Sequence, residues 1–281
     1  MKKILITGAN SYIGTSFENY IKDNYSDEYT VDTVDMLDEG WREKSFSDYD
    51  SVLHVAGIAH QKETKQNAPL YYKVNKELAV EVAKKAKAEG VKQFIFLSTM
   101  SVYGMNEGRI TKQTAPNPKS HYGISKWQAE QEIEPLSSDD FKVCILRPPM
   151  VYGKDCKGNF GFVVKLVKKS PIFPKVKNLR SMIHISNLNS FIEMSIRKEL
   201  KGLYFPQNRE YVSTCAMAKE IAGTLNKKII FNVVSGFVVA ILRLRLTVAK
   251  KAFGTLVYEN MEDFDFSYII TENDGSFKIS V

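Results

Sequence analysis

Apolar positions in the first half of the chain fall into two alternating rhythms. Short runs rich in apolar residues occur at residues 4–7, 29–34, 51–55, 93–97 and 142–146. Between them lie longer stretches with helical spacing, at 12–24, 69–88 and 119–134. Pro69 suits a first helical turn, Gly90 follows the end of its helix, and Pro135 stops the third. Runs apolar throughout predict strands covered on both faces, and strands alternating with helices predict a parallel sheet. The expected fold is a Rossmann-type, doubly wound α/β domain. After Arg147-Pro148-Pro149 the rhythm breaks into a Gly/Lys-rich stretch, short helices near 162–169, 186–197 and 213–225, and a strand near 202–205. The expected division is residues 1–175 as the dinucleotide domain and 176–281 as a small substrate lobe, with segments returning to the main domain.

Residues 237–252 form the most apolar stretch of this second part. Phe237, Ile241, Leu244 and Val248 share one helical face, with Arg243 and Lys250 elsewhere. A helix on a membrane surface and a lobe helix packed on the domain both fit this pattern. The second is the expectation, so no membrane partner is expected, with peripheral contact through 237–252 left open.

The bulk properties change this picture little. At 44% hydrophobic and 25% charged residues the chain reads as a soluble globular protein. Its net charge of +7 is spread without a nucleic-acid-binding motif; a nucleic-acid surface and a basic pocket for an anionic small molecule fit it equally well, and no nucleic-acid partner is expected. Cys144, Cys156 and Cys215 lack metal-ligand or disulfide-framework spacing, which fits a reduced, cytoplasmic protein. His54, His60, His121 and His184 have no ligand spacing, so no metal is expected. The apolar run after Met1 stops at Thr7-Gly8, too short for a signal sequence.

The candidate chemistry begins at Gly8-Ala9-Asn10-Ser11-Tyr12-Ile13-Gly14, a loop that leaves a strand and opens a helix. That context suits a dinucleotide, with Gly8 for the tight turn, Gly14 for close helix–sheet approach and the helix N-terminus for the pyrophosphate. Ser11 replaces the usual middle glycine. Its Cβ would crowd the phosphate or its hydroxyl would contact it, and both readings stay open. Asp35 ends the second strand, where a carboxylate accepts from ribose hydroxyls and repels a 2′-phosphate, favouring NAD over NADP. Tyr122 and Lys126, four residues apart, stack on one helical face. A lysine there is expected to lower the tyrosine pKa and fit it for proton transfer at a sugar hydroxyl.

Taken in order, these motifs resemble the extended short-chain dehydrogenase/reductases, in particular the nucleotide-sugar epimerase/dehydratase group of capsule and O-antigen sugar synthesis. The resemblance rests on the 7–14 loop, His54-Val55-Ala56-Gly57, Tyr72-Lys73-Val74-Asn75, the 97–104 segment, Tyr122-Gly123-Ile124-Ser125-Lys126, the 146–153 segment and Arg180-Ser181-Met182-Ile183-His184. It implies Tyr122 as acid/base, Thr99 beside the reacting oxygen and Lys126 on the nicotinamide ribose. It implies Ala56, Gly57, Asn75 and Pro148 around the cofactor and Asn159 and Arg180 on the nucleotide sugar. It further implies a homodimer through helices 69–88 and 119–134. Met100-Ser101 stands where a 4,6-dehydratase of this group carries an Asp-Glu pair, so dehydration is disfavoured. The expected activity is NAD-dependent 4-epimerisation of a UDP-sugar. A 4-ketoreductase acting on a UDP-4-keto-6-deoxy-hexosamine is the close alternative, and a non-catalytic cofactor-binding module is less favoured because Thr99, Tyr122 and Lys126 are all present.

Overall fold

The computed structural model describes residues 1–59, 61–156, 158–259, 261, 267–272, 276–277 and 280. The elements in chain order are β1 (Lys2–Thr7), α1 (Tyr12–Asn24), β2 (Tyr29–Val34), β3 (Ser51–His54), α2 (Ala68–Tyr72), α3 (Ala79–Ala88), β4 (Gln93–Leu97), β5 (Gly108–Ile110), α4 (His121–Ile133), β6 (Lys142–Leu146) and β7 (Met150–Tyr152). They continue with α5 (Asn159–Lys169), β8 (Ile172–Pro174), β9 (Met182–His184), α6 (Ile185–Arg197), β10 (Gly202–Tyr204), α7 (Thr214–Thr224), β11 (Ile230–Asn232), α8 (Val233–Arg245), α9 (Thr247–Phe253) and β12 (Leu256–Tyr258).

The chain divides into two compact units that interleave along the sequence. The first holds residues 1–104, 116–148 and 189–206; the second holds 105–115, 149–188 and 207–281. The first is built on a six-stranded sheet in the order β10-β6-β4-β3-β1-β2. Every pairing is parallel, as the apolar runs require. Leu5, Val52, Phe94, Phe96, Val143 and Ile145 point to one face and pack with Val80, Ala83, Ala129 and Ile133 of α3 and α4. The opposite face presents Ile4, Ile6, Leu53, Ile95 and Leu146, all buried. On the second unit, short strands pair at long range: β5 with β12, β8 with β11 and β7 with β9. Its core gathers Tyr152, Phe160, Phe173, Met182, Met217 and Ile221.

Two local departures from the sequence reading matter. The helix at 69–88 carries a π-helical stretch, Lys73–Leu78, between α2 and α3. The stretch at 237–252 is not one helix: Leu246 is extended (φ −109°, ψ 116°) and separates α8 from α9. Nor does this stretch bury its apolar face. Phe237, Ile241 and Leu244 are 67%, 48% and 78% exposed, so the packed-lobe reading does not hold for α8. The side chain of Val248 lies outside the described residues, as do His60 and Lys157.

Candidate active site

Strand order places β2 on one side of β1 and β3 on the other. That reversal opens a crevice at the carboxyl ends of β1 and β3, where ligands of open parallel sheets bind. The glycine loop lies at this point. Gly8 and Ala9 donate their N–H groups to Val34 O, both at 3.0 Å, which ties the loop to the end of β2 and to Asp35. Asp35 is exposed, and its Oδ1 accepts from Leu37 N at 2.9 Å.

The fit of a dinucleotide to this loop can be tested on its backbone. Gly8 has φ 119°, and a Cβ there would lie 2.7 Å from Ala56 N. Asn10 is left-handed at φ 63°. A Cβ on Gly14 would lie 3.1 Å from Gly8 O and 3.2 Å from Val55 Cγ2. Only a glycine pair allows this tight strand–turn–helix, with Tyr12 and Ile13 opening α1 and its N-terminal N–H groups at the crevice. The loop therefore fits the group. Ser11 has a local role in addition to its two readings. It is the N-cap of α1, and its hydroxyl accepts from Gly14 N at 3.1 Å. That bond uses the hydroxyl as an acceptor and leaves its O–H as a donor, so both readings of Ser11 stand.

Asn75 also acts on the backbone. From the π-helical stretch its Oδ1 accepts from Ile58 N at 2.7 Å and its Nδ2 donates to Ile58 O at 3.1 Å and to Ser125 Oγ at 3.3 Å. It thus clamps the turn after β3 that carries Ala56 and Gly57. A Cβ on Gly57 would lie 3.0 Å from Asn75 Oδ1 and 3.4 Å from Lys126 Nζ, so glycine keeps space open in front of both.

Thr99 follows β4 and caps a 3-10 turn, its hydroxyl accepting from Ser101 N at 3.1 Å. Met100 N donates to Pro148 O at 3.0 Å, which anchors Thr99 to the segment after β6. Tyr122 sits in the first turn of α4, whose N-cap Ser120 accepts from Gly123 N at 3.1 Å. A Cβ on Gly123 would lie 2.6 Å from Ser101 O, so this glycine lets the Tyr122 helix close on the Thr99 turn. The Thr99 hydroxyl acts on the Tyr122 phenol in the direction that lowers its pKa. Burial raises the Tyr122 pKa above its ordinary value, against the lowering effect of Thr99.

That direction corrects the expectation that Lys126 lowers it. The Lys126 ammonium is aimed elsewhere: Nζ donates to Leu97 O at 2.9 Å and lies 4.6 Å from the centre of the Phe96 ring. Burial lowers the Lys126 pKa to about 8, with the Glu130 charge opposing. Beneath it, Arg147 forms a buried ion pair with Glu130, Nε reaching Oε1 and Oε2 at 3.1 Å each, while its Nη1 donates to Tyr103 at 2.8 Å. Ser98 donates to the same carboxylate.

The sequence did not point to Glu63. Its two carboxylate oxygens accept from His121 N (2.9 Å) and Tyr122 N (3.1 Å), at the N-terminus of α4. A carboxylate there satisfies two orphan donors and complements the helix dipole. No spacing signal could have found it, because its partners are main-chain groups on another element.

On the second unit, Asn159 opens α5, and its side chain lies outside the described residues. Arg180 is 7% exposed and donates from Nη1 to Gly254 O at 2.9 Å, while its Nε has no hydrogen-bond partner. Burial lowers its pKa to about 10, with the Glu107 charge opposing. Among the described residues no group of three or more His, Cys, Asp or Glu could hold a metal.

The profile of the NAD dependent epimerase/dehydratase family matches residues 4–198. The chain belongs to that family. It is 32% identical over 253 residues to a UDP-glucose 4-epimerase of Vibrio cholerae, covering 80% of this chain and 76% of that protein. It is 27% identical over 244 residues to the N-acetyl-alpha-D-glucosaminyl-diphospho-ditrans,octacis-undecaprenol 4-epimerase of Escherichia coli O157:H7, covering 80% and 73%. In fold it is similar to the UDP-glucuronic acid 4-epimerase of Bacillus cereus in complex with NAD (TM-score 0.75, 18% identity, 99% and 97% covered). It is equally similar to a dTDP-4-dehydrorhamnose reductase of Clostridium acetobutylicum (TM-score 0.75, 21% identity, 99% and 98% covered). The epimerase/dehydratase fold thus accounts for both units, including the segments beyond the matched residues.

Proposed function

We propose that this family member interconverts the C4 configurations of a UDP-sugar, with Thr99, Tyr122 and Lys126 as its catalytic residues and NAD as its cofactor. What supports the reading is the close approach of the Tyr122 helix to the Thr99 turn at Gly123, with the Lys126 ammonium buried in the same unit as the glycine loop. Similarity to the V. cholerae enzyme supplies the reaction class. NAD, when bound, accepts a hydride and gives it back.

The chain's own groups handle the proton. Tyr122 takes it from the C4 hydroxyl and returns it to the same oxygen, and Thr99 keeps that oxygen hydrogen-bonded throughout. Lys126 holds the ribose side of the cofactor and supplies positive charge, and Gly8, Gly14, Asp35 and Asn75 shape the remaining pocket. Met100-Ser101 after Thr99 offers no acid to protonate a leaving hydroxyl, which favours epimerisation over dehydration. Arg180 supports an anionic substrate: a buried guanidinium with no ion pair among the described residues is costly unless an anion meets it. We assign it to the diphosphate, with Asn159 beside the sugar, which makes the second unit the sugar-nucleotide lobe. A cytoplasmic homodimer completes the proposal, and analytical ultracentrifugation checks the dimer.

The test is chromatography of UDP-glucose, UDP-galactose and their N-acetyl forms after incubation with the protein and no added nicotinamide reductant. Interconversion supports the reading. Conversion only of a 4-keto sugar with consumption of NADH would assign the reductase instead. Tyr122→Phe is expected to lower turnover by about 100-fold or more while NAD binding persists. Turnover near wild type in that variant refutes the acid/base role.

A further inference from the structure

Helix α8 presents more apolar surface to solvent than a water-facing helix carries. Ser235, Gly236, Val239 and Arg243, all less exposed, define the side turned to the rest of its unit. Gly236 seats the helix there, since a Cβ would lie 2.2 Å from Lys175 O, and Arg243 Nε donates to Glu107 at 2.6 Å. On the outer side Val233, Val234, Phe237, Ile241, Leu242 and Leu244 are each 41–78% exposed. No charged residue occurs between Val233 and Leu242. The register pair Ile172 and Ile230, on β8 and on β11, the strand that leads into the helix, is also exposed, at 50% and 63%. Single exposed apolar residues are ordinary; a continuous patch on one element marks an interface.

Charge indicates what covers it. The second unit carries 19 Lys and Arg against 10 Asp and Glu, a net +9, while the first carries 20 against 22, a net −2. All of the chain's excess positive charge therefore belongs to the unit with the apolar helix. From Tyr211 to Tyr258 one acid, Glu220, stands against seven Lys and Arg. Lys169, Lys227 and Lys228 line a cleft with Ser170 and Pro171, just ahead of the exposed isoleucine pair, and Lys227 donates to Lys168 O. Arg245, Lys250 and Lys251 follow the other end of the helix. A second copy related by a twofold axis would bring the same positive surface against itself. An anionic bilayer complements both features at once.

We infer that α8 is an interfacial helix that seats this protein on an anionic membrane surface. Phe237, Ile241 and Leu244 enter the headgroup–acyl boundary, and the lysine cleft and Arg245 meet lipid phosphates. The helix lies in the plane of the interface. Its 13 residues span about 20 Å, and among the described residues no helix is long and apolar enough to cross a membrane.

The test is flotation of the full chain with vesicles of phosphatidylcholine alone or with about 30% phosphatidylglycerol. The protein is expected to float with the anionic vesicles, with binding about tenfold weaker when salt rises from about 0.05 to about 0.5 M. Phe237→Glu with Ile241→Glu is expected to reduce binding at least about tenfold with unchanged circular dichroism, since both positions are solvent-facing. Lys227→Glu with Lys228→Glu is expected to remove part of the salt-sensitive binding. The inference is overturned if the wild type stays unbound to anionic vesicles, or if the Phe237/Ile241 variant floats as the wild type does. It is also overturned if that variant instead lowers the protein's sedimenting mass, which would assign the patch to a second copy.

Discussion

Replacing Arg147 by Met isolates the buried ion pair that underlies the Thr99–Lys126 region. The two side chains are 5% and 2% exposed. Burial alone would lower the Arg147 pKa, yet its hydrogen bonds and charge contact with Glu130 hold it above the ordinary value, which marks the pair as strongly coupled. Met keeps the length and apolar stem of Arg147 but removes every donor. The Glu130 carboxylate then keeps the Ser98 hydroxyl and loses the Arg147 donors. Leaving one buried charge uncompensated costs roughly 3–5 kcal/mol, a large share of a domain's net stability of about 5–15 kcal/mol. At about 2–4 °C per kcal/mol for a chain of this size, the midpoint should fall by roughly 10 °C. Fluorescence reports the right unit, because both tryptophans, Trp41 and Trp127, lie in the first, and Trp127 stacks 5.2 Å from the Arg147 guanidinium. Adding Glu130→Gln to Arg147→Met removes the orphan charge and should recover most of the loss. A single variant within about 1 kcal/mol of wild type, or a double variant no better than the single, refutes the reasoning.

Gly123→Ala should cost activity rather than gain stability: in an open helix alanine adds up to about 1 kcal/mol, but here its Cβ meets Ser101 O at 2.6 Å, so the Tyr122 helix moves off Thr99 and turnover falls about 100-fold, as measured in the epimerase assay. Glu63→Gln should weaken the N-terminal anchor of α4 by about 0.5–1 kcal/mol, read as a lower urea midpoint and lower turnover, with NAD affinity retained. Acid should unfold the protein through two buried imidazoles. Burial lowers the His54 pKa to about 3, assisted by the Lys126 charge, and the His184 pKa to about 4. The unfolded chain takes up these protons near its ordinary pKa of about 6.5, so stability is intact above that pH and is lost as pH falls toward the folded values. From pH 7.5 to 5 the two together remove about 4 kcal/mol, measured as the change in urea unfolding free energy.

What the sequence disclosed tracks how local the determining physics is. The inner strands of the six-stranded sheet were legible because burial on both faces writes an apolar run into consecutive residues, and 93–97 and 142–146 matched β4 and β6 to the residue. The glycine loop was legible because Gly8 and Gly14 answer a backbone demand that no other residue meets as well. The second unit was legible in its helices, 162–169 and 213–225 falling on α5 and α7, but not in its strands. Its strands are three residues long, and β5 pairs with β12 across about half of the chain, so no neighbouring residues encode the pairing. The π-helical stretch that aims Asn75 reads as ordinary helix. The N-cap role of Ser11, which accepts from its own helix, was not read from the glycine-loop spacing. The Tyr122–Lys126 spacing correctly put two side chains on one helix, but not the direction of each polar tip. Lys126 points to Leu97 O, and burial governs the phenol.

The same limit explains α8. A stretch of apolar residues at helical spacing specifies that something covers it, and a sequence cannot distinguish its own core from a foreign surface. Two facts decide between them here, and both arise from the fold. Gly236, set against Lys175, fixes which side of the helix faces inward, and that side presents Ser235, Val239 and an ion-paired Arg243 rather than the apolar stripe. Partition of the chain into units then assigns all of the excess positive charge to the unit that carries that stripe. A core helix has no use for lysines and arginines in the segments that flank it, whereas a helix lying on anionic lipid gains from them. Charge and apolarity, read separately, describe a basic protein with one greasy helix. Placed together on one unit they describe a surface that selects its own partner.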